Sequence, residues 1–169
     1  LLEHFGQDVK EVVRFYKWPA NTGAVLMVGA NIFNERNYFF AERSFFKVFD
    51  GILERGDVNT CLASPNSIVL SKNLAYKMFG DENPMGKLVK RLDVEDTWLE
   101  VTGIMKDLPP NSHFDLDVVI PYDKDWIPDE VNSWGFSNNN LTYILLSQTT
   151  DTADLQGRLN SAIEREQKD

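Results

Sequence analysis

The sequence predicts an α+β fold, a mixed domain richer in strand than in helix, and three observations predict it. Short apolar segments with strand character recur along the chain, among them Ser67–Leu70, Trp98–Met105, Asp115–Ile120 and Leu141–Leu146. Clusters of Gly, Pro, Asn and Asp separate them. The few segments with helical spacing are mixed unevenly among these strands, a pattern of α+β rather than of regularly alternating α/β. At 169 residues, with 43% hydrophobic and 25% charged content, the chain is an ordinary globular one. It is long enough for one domain, or two intertwined subdomains, burying about 70% of the surface its unfolded form exposes.

From the start of the chain, Val9, Val12, Val13 and Phe15 predict a short turn leading into a strand over Asp8–Tyr16, broken at Pro19-Ala20-Asn21-Thr22-Gly23. Ala24–Phe33 is rich in Val, Leu, Ile and Met, and Tyr38–Ala41 follows the polar Asn34-Glu35-Arg36-Asn37, which predicts a strand, turn, strand hairpin. Ser44 is placed to cap one or two helical turns carrying Phe45, Phe46, Val48 and Phe49. Gly51 and Gly56 punctuate a loop. Ser67–Leu70 reads as a short buried strand. Ser71 then caps a helix with Leu74, Ala75, Met78 and Phe79 on one face, and Gly80 stops it.

Lys87–Leu92 and Trp98–Met105 flank Asp93–Thr97 as a second hairpin. Leu116, Val118 and Ile120 fall on one side of the next strand, while Leu141–Leu146, apolar apart from Thr142, reads as a central strand. Leu155, Leu159, Ala162 and Ile163 give a helix over Thr152–Glu166, with Asp151 or Thr152 as its N-cap.

Charge excludes one class of function. With 26 acidic against 17 basic residues, the net charge of −9 repels a phosphate backbone and an anionic lipid surface, so nucleic acid is not expected as a partner. The single cysteine, Cys61, closes no internal disulfide and reads as a small buried apolar residue. The longest nearly apolar run, Ala24–Ala30, falls far short of the roughly 18 residues of a membrane helix. No signal peptide opens the chain. Leu1-Leu2-Glu3 without Met, and the charged Glu164–Asp169, read as cuts from a longer protein.

Several chemistry-bearing patterns have plainer readings. Gly80–Leu88 resembles a phosphate-binding loop, but five residues separate its glycines where a P-loop has four, and Leu88 follows Lys87 where a Ser or Thr would hold Mg²⁺. Helix termination and a tight turn account for both glycines. The carboxylates Asp93, Glu95 and Asp96, and Asp115 and Asp117 with Asp123 and Asp125, suggest a Ca²⁺ site or an acid/base pair, but the first cluster occupies the expected hairpin turn and the second lacks the glycine and terminal glutamate of an EF-hand loop. They read as solvated surface. His4 and His113 are too few for a zinc site without nearly every other donor. Ser112, His113 and Asp107 or Asp115 form only a nominal triad, with no Gly-x-Ser-x-Gly elbow. Asn140-Leu141-Thr142 is a sequon for N-glycosylation. Asp151-Thr152-Ala153 resembles a short O-glycosylation signal, although helix capping asks for the same residues.

One resemblance covers most of the chain. Ser44–Asp50, Leu53–Asp57, Ser67–Gly80, Asn83–Lys87, Val101–Phe114 and Leu141–Leu146, in that order, resemble the MacB-like periplasmic core domain of FtsX/MacB-type ABC-transporter permeases. Pro109-Pro110-Asn111-Ser112-His113 resembles the version in permeases of Bacteroides-type bacteria. The resemblance implies a βαβ-like porter subdomain with an inserted strand-rich sabre subdomain. The division expected is about 8–120 mostly sabre-like, with its helix at 71–79, and 121–169 porter-like. A first porter strand is expected to be missing, and membrane helices to flank the domain.

The same likeness implies a function. The domain is expected on the periplasmic side of a bacterial inner-membrane permease. It would be noncatalytic and without a cofactor or metal, coupling to a separate cytoplasmic ATPase through the full-length permease. A permease dimer, and a periplasmic adaptor or lipoprotein, are the further partners expected. A passive module recognising protein or peptide is the alternative. The residues singled out are structural: Phe45, Phe46 and Phe49 as packing anchors, Ser71 as a cap, Gly80 and Gly86 for backbone freedom, Gly56 in a loop, Pro84 and Pro109 as stiff corners, and Phe79, Gly103, Asn111, Ser112 and His113 in the motif.

Overall fold

The computed structural model describes residues 5–17, 23–94, 97–123 and 140–166. Its strands are β1 Val9–Lys17, β2 Ala24–Val28, β3 Asn31–Glu35, β4 Tyr38–Ala41, β5 Leu53–Arg55, β6 Ser67–Ser71, β7 Leu88–Arg91, β8 Thr97–Met105, β9 Val118–Pro121 and β10 Asn140–Leu146. Its helices are α1 Phe45–Val48, α2 Lys72–Phe79 and α3 Thr152–Glu166. The chain divides into two compact units, residues 13–143 and residues 1–12 with 144–169.

In the larger unit the strands follow the order β1-β4-β9-β6-β8-β7-β2-β3, with β5 paired to β8. β4 and β9 are parallel, as are β6 and β8; the other pairs in this unit are antiparallel among the described residues. Every residue of β4, β6 and β9 is buried, because these strands are covered on both faces and so lose the apolar/polar alternation of half-buried ones. Strand side chains alternate between faces, and the core divides accordingly. Phe40, Ile68, Leu70, Val118 and Ile120 pack with Leu74, Ala75, Met78 and Phe79 of α2. Phe39, Val69 and Val119, their immediate neighbours in sequence, pack with Phe45 and Phe46 of α1 and with Leu62, Phe114 and Leu116.

The hairpin near the start differs from the sequence expectation. Its turn is Gly29-Ala30, not residues 34–37: β2 pairs with β3 from Val28↔Asn31 to Ala24↔Glu35. Gly29, at φ 60°, supplies the left-handed conformation that a two-residue hairpin turn requires. β4 leaves this hairpin to lie between β1 and β9. The segment between Gly51 and Gly56 is likewise more than loop, since β5 pairs there with β8. β10, read from its apolar run as central, lies at an end of the strand order, with Leu141 50% and Leu145 36% exposed. The expected helices and the β7/β8 hairpin are present.

The smaller unit has its own core of Phe5, Val9 and Leu155, with Val12, Ile144, Leu146, Leu159 and Ala162 packed against it. Asp151, rather than Thr152, caps α3: its Oδ1 accepts from the N–H groups of Ala153 at 2.9 Å and Asp154 at 3.2 Å. Arg158 donates to Asp8 at 2.5 Å and to Asp154 at 2.9 Å, and the Asp8 hydrogen bond raises the guanidinium pKa further.

Gly56 marks the closest backbone approach. At φ 108° its missing Cβ would lie 2.6 Å from the Thr102 carbonyl oxygen and 3.1 Å from Gly103 Cα. Both obstacles are backbone, which cannot rotate aside. Gly56→Ala is therefore expected to cost about 2 kcal/mol or more, combining a strained φ with a clash. Gly51→Ala, at positive φ but with nothing within 4 Å, should cost about 1 kcal/mol. Urea unfolding of both variants measures the difference, and equal losses would contradict the close approach.

Candidate functional site

The first constellation is aromatic. Phe15 of β1 stacks on Phe39 of β4 at 4.5 Å and on Phe45 of α1 at 5.2 Å. Phe46 meets Phe45 edge-on at 5.0 Å, and Phe49 meets Phe114 edge-on at 4.9 Å and Tyr143 at 5.0 Å. These are the offset and edge-to-face geometries that ring quadrupoles favour. α1 is a single turn with Ser44 at its N-cap, but the Ser44 side chain makes no cap hydrogen bond. Burial of Phe45 and Phe46, at 0% and 1% exposure, is what holds that turn.

The Pro109–Phe114 segment delivers one of those rings. Ser112 N–H donates to the Pro109 carbonyl at 2.8 Å, and Phe114 N–H donates to Ser112 Oγ at 3.1 Å. The resulting turn buries Phe114 and leaves Pro109, Asn111 and His113 exposed. His113 Nε2 lies 3.3 Å from the Tyr143 hydroxyl, and its ring centroid 3.9 Å from that of Phe114. Ser112 is thus engaged within its own turn and His113 with tyrosine. Asp107, the third member of the nominal triad, accepts from Asn73 N–H at 3.0 Å.

That last contact belongs to a second constellation, at the start of α2. Ser71 Oγ accepts from Leu74 N–H at 3.2 Å and donates to Asp117 Oδ1 at 3.1 Å. Asn37 Nδ2 donates to Asp117 Oδ2 at 3.0 Å. Ser71 is the cap the sequence predicts. Asp107 and Asp117, read as triad member and cation ligand candidates, instead lie just beyond β8 and just before β9 and satisfy donors in α2, at the end of β6 and just before β4.

The glycine-bracketed loop after α2 folds back on β8. Gly80, at φ 61°, donates its N–H to the Tyr76 carbonyl, and Gly86 N–H donates to the Val101 carbonyl, both at 2.8 Å. Pro84 is buried, and Phe79 is buried beneath the Lys87 ammonium, 5.2 Å from the ring centre. Lys87 pairs with Glu82, whose pKa that hydrogen bond lowers. The N–H groups of Gly80, Glu82, Gly86 and Lys87 donate to backbone carbonyls. Gly103 lies buried under β5, where an added Cβ would meet Leu53 Cδ1 at 3.1 Å and Val69 Cγ2 at 3.2 Å.

Sequence reasoning missed Arg91. It is 1% exposed, donates to Asp93 Oδ2 at 2.7 Å, and lies 5.1 Å from the centre of the Tyr38 ring and 5.9 Å from that of Phe40. The alternation that puts Val89 inward puts Arg91 inward too, and an acid two residues on was the available signal. Asp93 is therefore a counter-charge rather than one of a solvated group. Burial raises the pKa of the Tyr38 hydroxyl, which has no hydrogen-bond partner among the described residues. Asp115 is exposed, while Glu95, Asp96, Asp125 and His4 lie outside the described residues. Among the described residues no group of three or more His, Cys, Asp or Glu is placed to hold a metal ion.

A family model described as MacB-like periplasmic core domain matches residues 4–162. Among solved structures, a domain of a putative permease protein from Porphyromonas gingivalis matches with a TM-score of 0.76 at 23% identity, over 97% of this chain and 67% of that one. The periplasmic region of MacB from Actinobacillus actinomycetemcomitans matches at 0.67 and 19%, over 94% and 67%. The extracellular domain of the noncanonic ABC-type transporter YknZ from Gram-positive bacteria matches at 0.53 and 16%, over 88% and 70%. At these identities the likeness shows a shared fold, and its mixed, strand-rich α+β class is the one the sequence predicts. A comparison with curated proteins gives no match.

Two outcomes test the site. Ser71→Ala and Asp117→Ala should each cost about 1 kcal/mol or more, and because they share one hydrogen bond the double variant should lose less than the sum. Additive losses in a denaturation cycle would contradict the shared network. Burial of Cys61 pushes its thiol up from 9.0 to about 11. The folded state disfavours the thiolate, so stability should fall as pH rises from about 9 towards 11, the unfolded chain being the one that releases the proton. Measured against wild type, Cys61→Ala should show a shallower decline in its unfolding midpoint over that window.

Proposed function

The chain belongs to the family of MacB-like periplasmic core domains, and from that premise we propose that it carries conformational change between the membrane helices of an ABC-transporter permease and substrates or partners outside. Membership makes it an extracytoplasmic transporter domain, a noncatalytic component of such systems. Among the described residues no helix is long and apolar enough to cross a membrane. The finer reading is a stiff element working during ATP-driven export or envelope mechanotransmission, with hydrolysis in a separate cytoplasmic subunit. It places the domain on the periplasmic face of a bacterial inner membrane, in a dimeric permease, with a periplasmic adaptor or lipoprotein as a further partner.

The family match over residues 4–162 carries the reading. Rigidity supports it. β4, β6 and β9 are buried on both faces, and packed cores deform little under load. In this reading Phe45, Phe46 and Phe49 brace one face and Phe79 the other, while Gly56, Gly80, Gly86, Gly103, Pro84 and Pro109 set the corners. The Asn111-Ser112-His113 turn presents Phe114 to that bracing. The sabre-like division at about 8–120 and the porter-like one at 121–169 belong to the same proposal, with β10 and α3 as the porter-like elements.

Replacing residues 13–143 of the full-length permease by a flexible Gly/Ser linker provides the test. The expected outcome is normal assembly with the ATPase subunit, measured by co-purification, together with loss of transport. Full transport by that variant would overturn the proposal.

A further inference from the structure

The two longer helices are fastened differently. α2 buries Leu74, Ala75, Met78 and Phe79 within eight residues. α3 has fifteen residues, yet Leu155 is the one buried side chain among those described, with Leu159 and Ala162 half-buried beside it and Ile163 39% exposed. Its own sequence adds little. Gly157 lowers helix propensity in the middle of α3, and Ser161 Oγ donates back to the Gly157 carbonyl at 3.0 Å, a bond that slightly weakens a helix. A helix of this length is marginal alone in water, so its fastening decides whether it stays formed.

That fastening is centred on Asp8. Its carbonyl accepts from Ser147 N–H at 2.7 Å and from Thr150 Oγ1 at 3.0 Å, and Ser147 Oγ donates to the Gln7 carbonyl at 3.1 Å. These bonds hold the segment ahead of α3 and use only the backbone of Asp8 and Gln7. The Asp8 side chain reaches α3 itself: Oδ2 accepts from Arg158 Nη2 at 2.5 Å. Arg158 also donates to Asp154, one turn earlier, at 2.9 Å and lies 5.6 Å from the centre of the Phe5 ring. The Arg158 side chain is 42% exposed and that of Asp8 20%, so dissolved salt reaches the pair and weakens it.

We infer that α3 is a strap that releases and re-forms on its own, with the Arg158–Asp8 pair as its lock. On release Leu155 leaves its small core and the helix, too weak to persist alone, frays back to Asp151. The bonds to the Asp8 carbonyl remain. The cores of the larger unit share no residue with that of α3, so they stay intact while the strap is open. The lock changes where a displacement of α3 goes. Closed, it is shared between the start of β1, through Asp8, and β10, through residues 147–151; open, it passes to β10 alone. The release is a property of the chain itself and is independent of the transport reading.

Residue-resolved amide exchange of the 169-residue chain, at constant pH and at low and high NaCl, tests it. The amides of Leu159 and Ala162 should exchange about tenfold or more faster than those of Ile68, Val69 and Leu70 in β6. Raising NaCl should speed exchange in α3 about threefold and leave β6 unchanged. Asp8→Asn keeps the backbone bonds; it should speed α3 to a similar extent and abolish the response to salt. Gly157→Ala, with nothing within 4 Å of the added Cβ, should act the other way and slow exchange in α3 about fourfold, again without changing β6. Slow exchange in β6 shows in each variant that the larger unit is folded. Exchange in α3 as slow as in β6 overturns the inference. So does indifference of α3 to salt, to Asp8→Asn or to Gly157→Ala.

Discussion

Burial of both faces of β4, β6 and β9 is the constraint on which the larger unit depends. Neighbouring residues in these strands serve different cores: Phe39 belongs with α1 and Phe40 with α2, and Val69 and Leu70 divide the same way. A shift of one residue would send every side chain to the opposite layer. Register is therefore fixed by packing on two sides at once. The parallel pairings of β4 with β9 and β6 with β8 sit at this doubly covered centre, where such pairings are usually found.

Local chemistry is subordinate to that constraint. α1 is too short to be stable alone and persists because two phenylalanines are enclosed. The start of α2 is tied down by two carboxylates from other segments, Asp107 accepting from Asn73 N–H and Asp117 from the Ser71 hydroxyl, with Asn37 donating in turn to Asp117. These carboxylates are the ones a motif search notices. Each faces a backbone N–H, a hydroxyl or an amide that needs an acceptor.

Legibility in the sequence followed the range of the interaction. α2 was fully legible, since Ser71, the Leu74/Ala75/Met78/Phe79 spacing and Gly80 are all local signals. So was the β7/β8 hairpin. β10 misled because a continuous apolar run marks a strand covered on both faces only when something covers it, and sequence alone does not reveal the second cover. The polar Asn34–Asn37 carries the stronger local turn signal, yet the turn falls at Gly29, the residue that supplies the required φ. Arg91 was hidden for another reason: charge suggests solvent, and only the pairing of β7 with β2 and β8 turns it inward beside Asp93. The family motifs were legible as an ordered set.

The centre and the end of the larger unit's sheet differ in how fully the chain meets its own physical needs. At the centre, aromatic residues are enclosed, helix-end donors are capped and glycines let backbones touch, so a substitution there changes the fold before it changes anything outside. At the β3 end, among the described residues, no strand pairs with the outer edge, and Ile32 and Trp98 remain exposed beside it. Marginal stability leaves little reason to keep apolar side chains in water when polar ones would serve the fold equally well. The apolar face beside Ile32 and Trp98 is consequently the part of this unit that packing among the described residues does not explain.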